Sequence, residues 1–418
     1  MHLLARPSLA IPFVLVFMVA FTARLRGEDI PAEKIFAEVP FDQWAKQGPA
    51  GALRWKVDVQ STGLSLDQRL RAHVEAQMLR RELAKRPPDT RMVVLVELIS
   101  PTGQQFRNYE QFQMKDMEPS VKRGEIDVFW DMYILPGDYK VTVALAIGDK
   151  GEHNLVQRTL HIDRPKKDPL PGVWSGVPEV EFLEVKLQGP DAMFRSDVLT
   201  RLHLPLENHR PVQLEALVDV TVSDLFHGST SFYNHYLEVA LPLLKSLSQI
   251  SMERGSLTVA MLDLHERSVT FEQTDVKELN WPRARSVLAP ENGTAMVDIK
   301  ELAKKRESPA FLQDELLRRL TSSSSQVAEE RPVHVFVIVG SPMDFYSFRD
   351  LPRLPPGSEE KCVVYYLQFE LLNPQYANGA VGNVRKMLKP LPVRVFKVRT
   401  AQSIRLALAK ILEEVAAM

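Results

Sequence analysis

The sequence predicts a multi-domain chain: a β-sandwich followed by an α/β domain with a doubly wound, mostly parallel sheet. Three observations predict it. The chain has 418 residues, too long for one ordinary domain. Between residues 53 and 162, short apolar runs recur with turn signals between them, as in a sandwich. Beyond about residue 180, strand-like runs alternate with helical patterns, which implies a parallel sheet covered on both faces.

Composition narrows the function classes. Hydrophobic residues make up 45% and charged residues 25%, the ordinary balance of a globular protein. The formal net charge is −1, so the basic footprint of a nucleic-acid or acidic-lipid binder is missing. Cys362 is the only cysteine, which excludes an intramolecular disulfide and a thiolate metal site. It reads as a buried small hydrophobe.

The N-terminus reads as a targeting segment. Arg6 precedes an uncharged, mainly apolar stretch from Leu9 to Ala23. Fifteen residues suit a signal-peptide core better than a membrane-spanning helix, which needs about 20. Phe21-Thr22-Ala23 is a poor cleavage site, so an N-terminal anchor in the inner membrane stays open beside a cleaved signal over 1–27. Either way the chain is expected to be exported, to the periplasm or beyond.

The elements follow in order. Residues 28–50 read as a polar lead-in to a sandwich over 28–163. Leu53–Val59 places an apolar residue at every second position, the period of a half-buried strand. Gln68–Leu83 fits periods of two and of four, and the sandwich context favours a strand. Met92–Ile99 is a continuous apolar run broken by Glu97; Ile126–Leu135, Tyr139–Ile147 and Leu155–Ile162 follow. Pro136-Gly137-Asp138 suits a type II turn between two of these. Their regular spacing implies an immunoglobulin-like sandwich.

Residues 164–178 are rich in Pro and Gly and read as an extended linker, with Trp174 available to dock on one of the domains. The second domain spans 179–418. Glu179–Val185, Val198–Leu206 and Val212–Val222 are strand-like. Tyr236–Glu253 carries Leu237, Leu241, Leu244 and Leu247 on one helical face. Strands are expected at Leu257–Leu262, Ser268–Phe271, Val333–Val339, Val363–Phe369 and Val393–Val398. Helices are expected over Met296–Leu320, broken near Pro309, and at Val381–Leu388 and Ser403–Val415.

The candidate site lies at the end of one apolar run. Leu214–Val218 leads into Asp219-Val-Thr221-Val-Ser223, so a strand delivers a carboxylate and two hydroxyls at alternate positions, on one side. Hard cations such as Mg²⁺ take this mix of oxygen ligands. The pattern resembles the first element of the metal-ion-dependent adhesion site of von Willebrand factor type A domains, Asp-x-Ser-x-Ser, with Thr221 in the middle place. The resemblance covers roughly residues 185–418. The layout of signal, sandwich and this domain looks like bacterial exported proteins of that superfamily. It implies Thr294, in Asn292-Gly293-Thr294, as the threonine of a second loop. It also implies an Asp directly after the central strand, where this chain has Ser341 and carries Asp344 further on. Mg²⁺ is the implied cofactor, held by Asp219, Thr221, Ser223 and Thr294, and a carboxylate of a protein partner completes the coordination.

Other motifs are weaker. His265-Glu266 lacks a second His at helical spacing and reads as a turn between strands. No Walker loop, Gly-x-Gly-x-x-Gly or Gly-x-Ser-x-Gly elbow is present. Phe345-Tyr346-Ser347-Phe348 reads either as core or as part of a protein-binding face. The sequence is therefore read as a non-enzymatic, exported protein-interaction module. A metal-free envelope scaffold is the alternative, and a hydrolase with an unrecognised site stands behind both.

Overall fold

In the computed structural model, the described residues are 31–83, 85–113, 115, 124–148, 151–183, 201–221, 230–288, 308–322, 332–340, 362–369, 384–389 and 391–418. The first part of the chain forms β1 (Ala50–Gly51), β2 (Trp55–Leu64), β3 (Leu70–Leu79), β4 (Arg91–Ile99), β5 (Gln105–Gln113), β6 (Glu125–Ile134), β7 (Gly137–Ile147), β8 (Glu152–Ile162) and β9 (Val180–Phe182). They make two antiparallel sheets, ordered β1-β8-β7-β4-β5 and β2-β3-β6-β9.

Alternation explains how the sheets meet. Every second residue of β3 is buried, namely Leu70, Ala72, Val74, Ala76 and Met78. The period of two, backed by burial, overrides the helical propensity of its Arg, Glu and Gln residues. These side chains share one core with Trp130 and Met132 of β6 and with Met92, Val94, Val96 and Leu98 of β4. The continuous run of β4 has a simple cause: it is buried on both faces. Its other face sends Val93 and Leu95 into a second cluster with Ile35, Phe36, Phe41 and Trp44. Those four come from helices Ala32–Ala37 and Phe41–Gln47, so the stretch expected to be a polar lead-in folds over the outside of the sheet. Strand β5 was not expected, because its sequence is polar; it pairs with β4 along its whole length. Buried Glu97 accepts a hydrogen bond from Arg107 Nε at 2.7 Å, which offsets the cost of its charge.

The second part contains β10 (Leu204–Leu206), β11 (Val212–Asp219), β12 (Ile250–Met252), β13 (Gly255–Asp263), β14 (Ser268–Gln273), β15 (Val333–Gly340), β16 (Cys362–Phe369) and β17 (Val393–Val398). Strands β10 and β12 pair with each other. The other six form one sheet, ordered β14-β13-β11-β15-β16-β17, in which β14 runs antiparallel to β13. The remaining neighbours in this sheet pair in parallel. One face packs on helices Thr230–Leu247 and Ala401–Ala416, the other on helix Ser308–Ser322. The final helix starts with a capping box between Thr400 and Ser403. Gly255 has φ +128°, and a Cβ there would lie 1.9 Å from the Val212 carbonyl oxygen. Only glycine lets β13 approach β11 so closely.

The expected class needs correcting. The sequence reading gave a β-sandwich followed by a doubly wound, mostly parallel α/β sheet, whereas among the described residues strand outweighs helix and the sheets of the first part are antiparallel. The physical reason is strand length. An apolar run signals one strand whatever its extent, but β2 to β8 each continue for 9 to 11 residues through polar positions that carry no apolar signal.

Segment 164–178 runs as successive turns with Val173, Trp174 and Val177 buried. The Trp174 indole N–H donates to the Gln68 carbonyl at 2.8 Å. Fully buried Arg405, on the final helix, lies over the Trp174 ring, 4.6 Å from its centroid. Its Nε and Nη2 donate to the Asp168 carboxylate at 2.6 and 2.7 Å, and Nη2 also donates to the Leu170 carbonyl at 3.0 Å. Gln68 Nε2 reaches the Ala401 carbonyl at 3.2 Å. The segment thus joins a corner of the first part to the last helix.

Candidate functional site

Strand β11 lies between β13 and β15, and its residues from Leu214 onward are buried. Asp219 closes it, 4% exposed, and Thr221 follows at 1%. Beyond the strand end the main chain still pairs, with Val220 N donating to the Leu262 carbonyl at 2.8 Å. Asp219 Oδ1 accepts from the Thr221 amide at 3.0 Å and from the Thr221 hydroxyl at 2.5 Å. The same hydroxyl accepts from the Leu264 amide at 2.7 Å. Thr221 therefore ties the end of β11 to the turn after β13. In that turn Asp263 Oδ1 accepts from the amides of His265 and Glu266, both at 3.0 Å. On the other side, Gly340 ends β15. A Cβ there would stand 3.3 Å from Asp219 Cβ and 3.5 Å from both Asp219 Oδ2 and Tyr366 Oη. A glycine makes room for the carboxylate.

The structure brings Asp219 and Thr221 together. Ser223, Thr294 and Ser341 lie outside the described residues, as do Asp344 and the aromatic run 345–348. Among the described residues, no group of three or more His, Cys, Asp or Glu side chains could hold a metal ion. The fit to a hard cation is partial. Asp219 supplies a carboxylate, but the Thr221 hydroxyl spends its proton and one lone pair on the strand end, leaving one lone pair.

Two arrangements escaped the sequence reading. Across the sheet, His334 of β15 stands in register with Cys362 of β16. Burial pushes the Cys362 thiol up to about 11 and holds His334 below the ordinary histidine value, so this pair is inert at neutral pH. On the face toward helix Ser308–Ser322, Glu215 of β11 takes Arg319 Nη1 at 2.6 Å, and Arg319 Nε bonds Glu315 at 2.8 Å. A glutamate inside an apolar strand was the available signal for it.

No protein-family model and no curated protein matches this chain. Similar solved structures include the PilB minor pilin from Streptococcus sanguinis, at 8% identity over 78% of this chain and 87% of that one, TM-score 0.26. The pilus adhesin SpaC from Lactobacillus rhamnosus GG has 8% identity over 69% of this chain and 34% of its own, TM-score 0.27. A glycosyl hydrolase family 2 member from Bacteroides cellulosilyticus has 8% identity over 82% and 45%, TM-score 0.18.

The resemblance to von Willebrand factor type A domains is corrected. Among the described residues strand outweighs helix, both sheets of the first part are antiparallel, and no family model matches the chain. The Asp-x-Thr motif has a local cause that belongs to no one family: Asp219 and Thr221 close a strand end by hydrogen bonds. No helix among the described residues is long and apolar enough to cross a membrane.

Proposed function

We propose that this chain is an exported protein-interaction module that uses the carboxyl edge of its six-stranded sheet. One observation carries the reading. At Asp219 the central strand has parallel neighbours on both sides, and in such sheets the connections diverge there and open a crevice beyond the strand ends. A buried carboxylate stands at that point. The apolar run Leu9–Ala23 behind Arg6 supports export. A photo-crosslinking residue placed at Glu266, beside the carboxyl edge, should give a discrete protein adduct in the exporting cell. The same residue at Arg210, at the opposite edge, should not. Equal adducts from both positions would remove the reading.

The finer form of the proposal is a Mg²⁺ held by Asp219, Thr221, Ser223 and Thr294, with Ser341 a position at which a further carboxylate can be introduced. Titration calorimetry with Mg²⁺ and Mn²⁺ should show binding that Asp219→Ala abolishes and Ser341→Asp tightens. The metal-free scaffold is the second reading, favoured by the commitment of the Thr221 hydroxyl to Asp219 and Leu264. Heat-silent titration of the wild type would select it.

A further inference from the structure

Away from the end of β11, one place in the first part offers both room and unmatched charge. An open depression of about 560 Å³ is lined by residues 51–54, which lead from β1 into β2, and by Glu82, Lys85 and Arg86. Fully buried Asn154 fixes this link. Its Oδ1 accepts from the Ala52 and Leu53 amides, each at 2.9 Å, and its Nδ2 donates to the Leu53 carbonyl at 2.7 Å. The Arg54 amide donates to Glu82 Oε2 at 2.9 Å. The main-chain donors of 52–54 are thereby spent, so a ligand here meets side chains. Arg86 is matched, because both of its terminal nitrogens donate to the Glu152 carboxylate. Arg54 and Lys85 are not. Both are exposed, and among the described residues neither side chain has an ion-pair or hydrogen-bond partner. Glu82 likewise keeps its Oε1 without a partner among the described residues.

We propose that this depression binds a sugar acid, a saccharide that carries a carboxylate among its hydroxyls. Its volume lies within the range of about 300–1,000 Å³ that small-ligand sites occupy. The lining sets the chemistry. With Arg86 neutralised by Glu152, two cations face the one carboxylate of Glu82, a surplus of a single positive charge. One carboxylate on the ligand balances that surplus through charge-assisted hydrogen bonds to Arg54 and Lys85. Glu82 asks for the opposite partner. Its Oε1 accepts, and a sugar hydroxyl donates. A densely charged phosphate ligand would meet Glu82 as a repulsion. A neutral sugar would leave both cations unmatched, and a bare carboxylate would leave Glu82 unmatched. The two demands together describe one ligand.

The probes are D-galacturonate, D-galactose and acetate, titrated into the full chain at matched ionic strength and followed by NMR. The first carries hydroxyls and a carboxylate, the second hydroxyls alone, the third a carboxylate alone. Galacturonate should bind, and the other two should bind at least about tenfold more weakly, the worth of one charge-assisted hydrogen bond. Arg54→Gln and Lys85→Gln each remove one cation at an exposed position, where substitution leaves the fold intact. Each should weaken galacturonate about tenfold. Lys277→Gln removes an exposed cation from the second part and should change nothing. No binding of galacturonate, equal binding of galactose or acetate, an affinity unchanged in both Arg54→Gln and Lys85→Gln, or the same loss in Lys277→Gln would each overturn the proposal.

Discussion

Thr221 shows how much one hydroxyl can hold. It donates to Asp219 and accepts from the Leu264 amide, both in a buried setting. Thr221→Val keeps the shape and leaves that amide without its acceptor, so urea denaturation should show a loss of about 1–3 kcal/mol. A loss too small to measure would mean that Leu264 finds another partner. A second residue titrates in a useful range. His73 bonds Asp131 Oδ1 at 3.0 Å, and that bond raises the imidazole above its ordinary 6.5 although burial works against it. Because the folded value lies above the unfolded one, the stabilisation is present below 6.5 and is lost as pH rises through the raised value. The gap in urea midpoint between wild type and His73→Gln should therefore be wider at about pH 5.5 than at about pH 8.5. At this scale Asp219 and Thr221 were legible, because a strand end followed by alternate oxygen side chains is a local pattern. Arg405 was not. Arg405 sits among Ile404, Leu408 and Ile411 on the buried face of its helix, and its partner Asp168 is 237 positions away. The misplaced charge was visible in the sequence, but its partner was not.

At the scale of elements, strand β4 has two cores to serve. One face meets β3 and β6, and the other meets the helices at 32–47. Phe41 is 2% exposed and stands edge-on to Phe36 at 4.7 Å. Phe41→Ala should cost about 3–5 kcal/mol and uncover Val93 and Leu95, read as a lower urea midpoint with increased binding of a hydrophobic dye. An unchanged midpoint would mean that these helices cap the sheet without stabilising it. The strands were legible wherever their apolar residues alternate or run on, as in β3, β4, β7, β11 and β15. The two helices were not, because six- and seven-residue segments hold too few turns for a period to show. Strand β5 escaped for another reason. Its Phe106 and Phe112 pack on one face and its Tyr109 on the other, three apart among polar residues, so no period of two shows.

The whole molecule turns on the segment at 164–178. Its Pro and Gly content reads as an extended linker, yet Trp174 is buried and Arg405 grips Asp168 with two nitrogens. The sequence offered Trp174 for docking but could not show the grip of Arg405 on Asp168, since the two lie 237 positions apart. Arg405→Met would strand the Asp168 carboxylate in a buried site, at a cost of about 3–5 kcal/mol. Limited proteolysis should leave the wild-type segment uncut and cleave it readily in the variant; rapid cutting of both would show that the grip does not protect it. The contact also sets an order of events during synthesis. The Gln68 carbonyl and the Arg405 guanidinium that approaches it are separated by 337 positions. At about 5–20 residues per second, the corner that carries Gln68 and Arg69 is translated tens of seconds before the helix that covers it. For that interval a nascent chain carries an uncovered polar corner, and a chaperone that binds there would be displaced only when the last helix arrives.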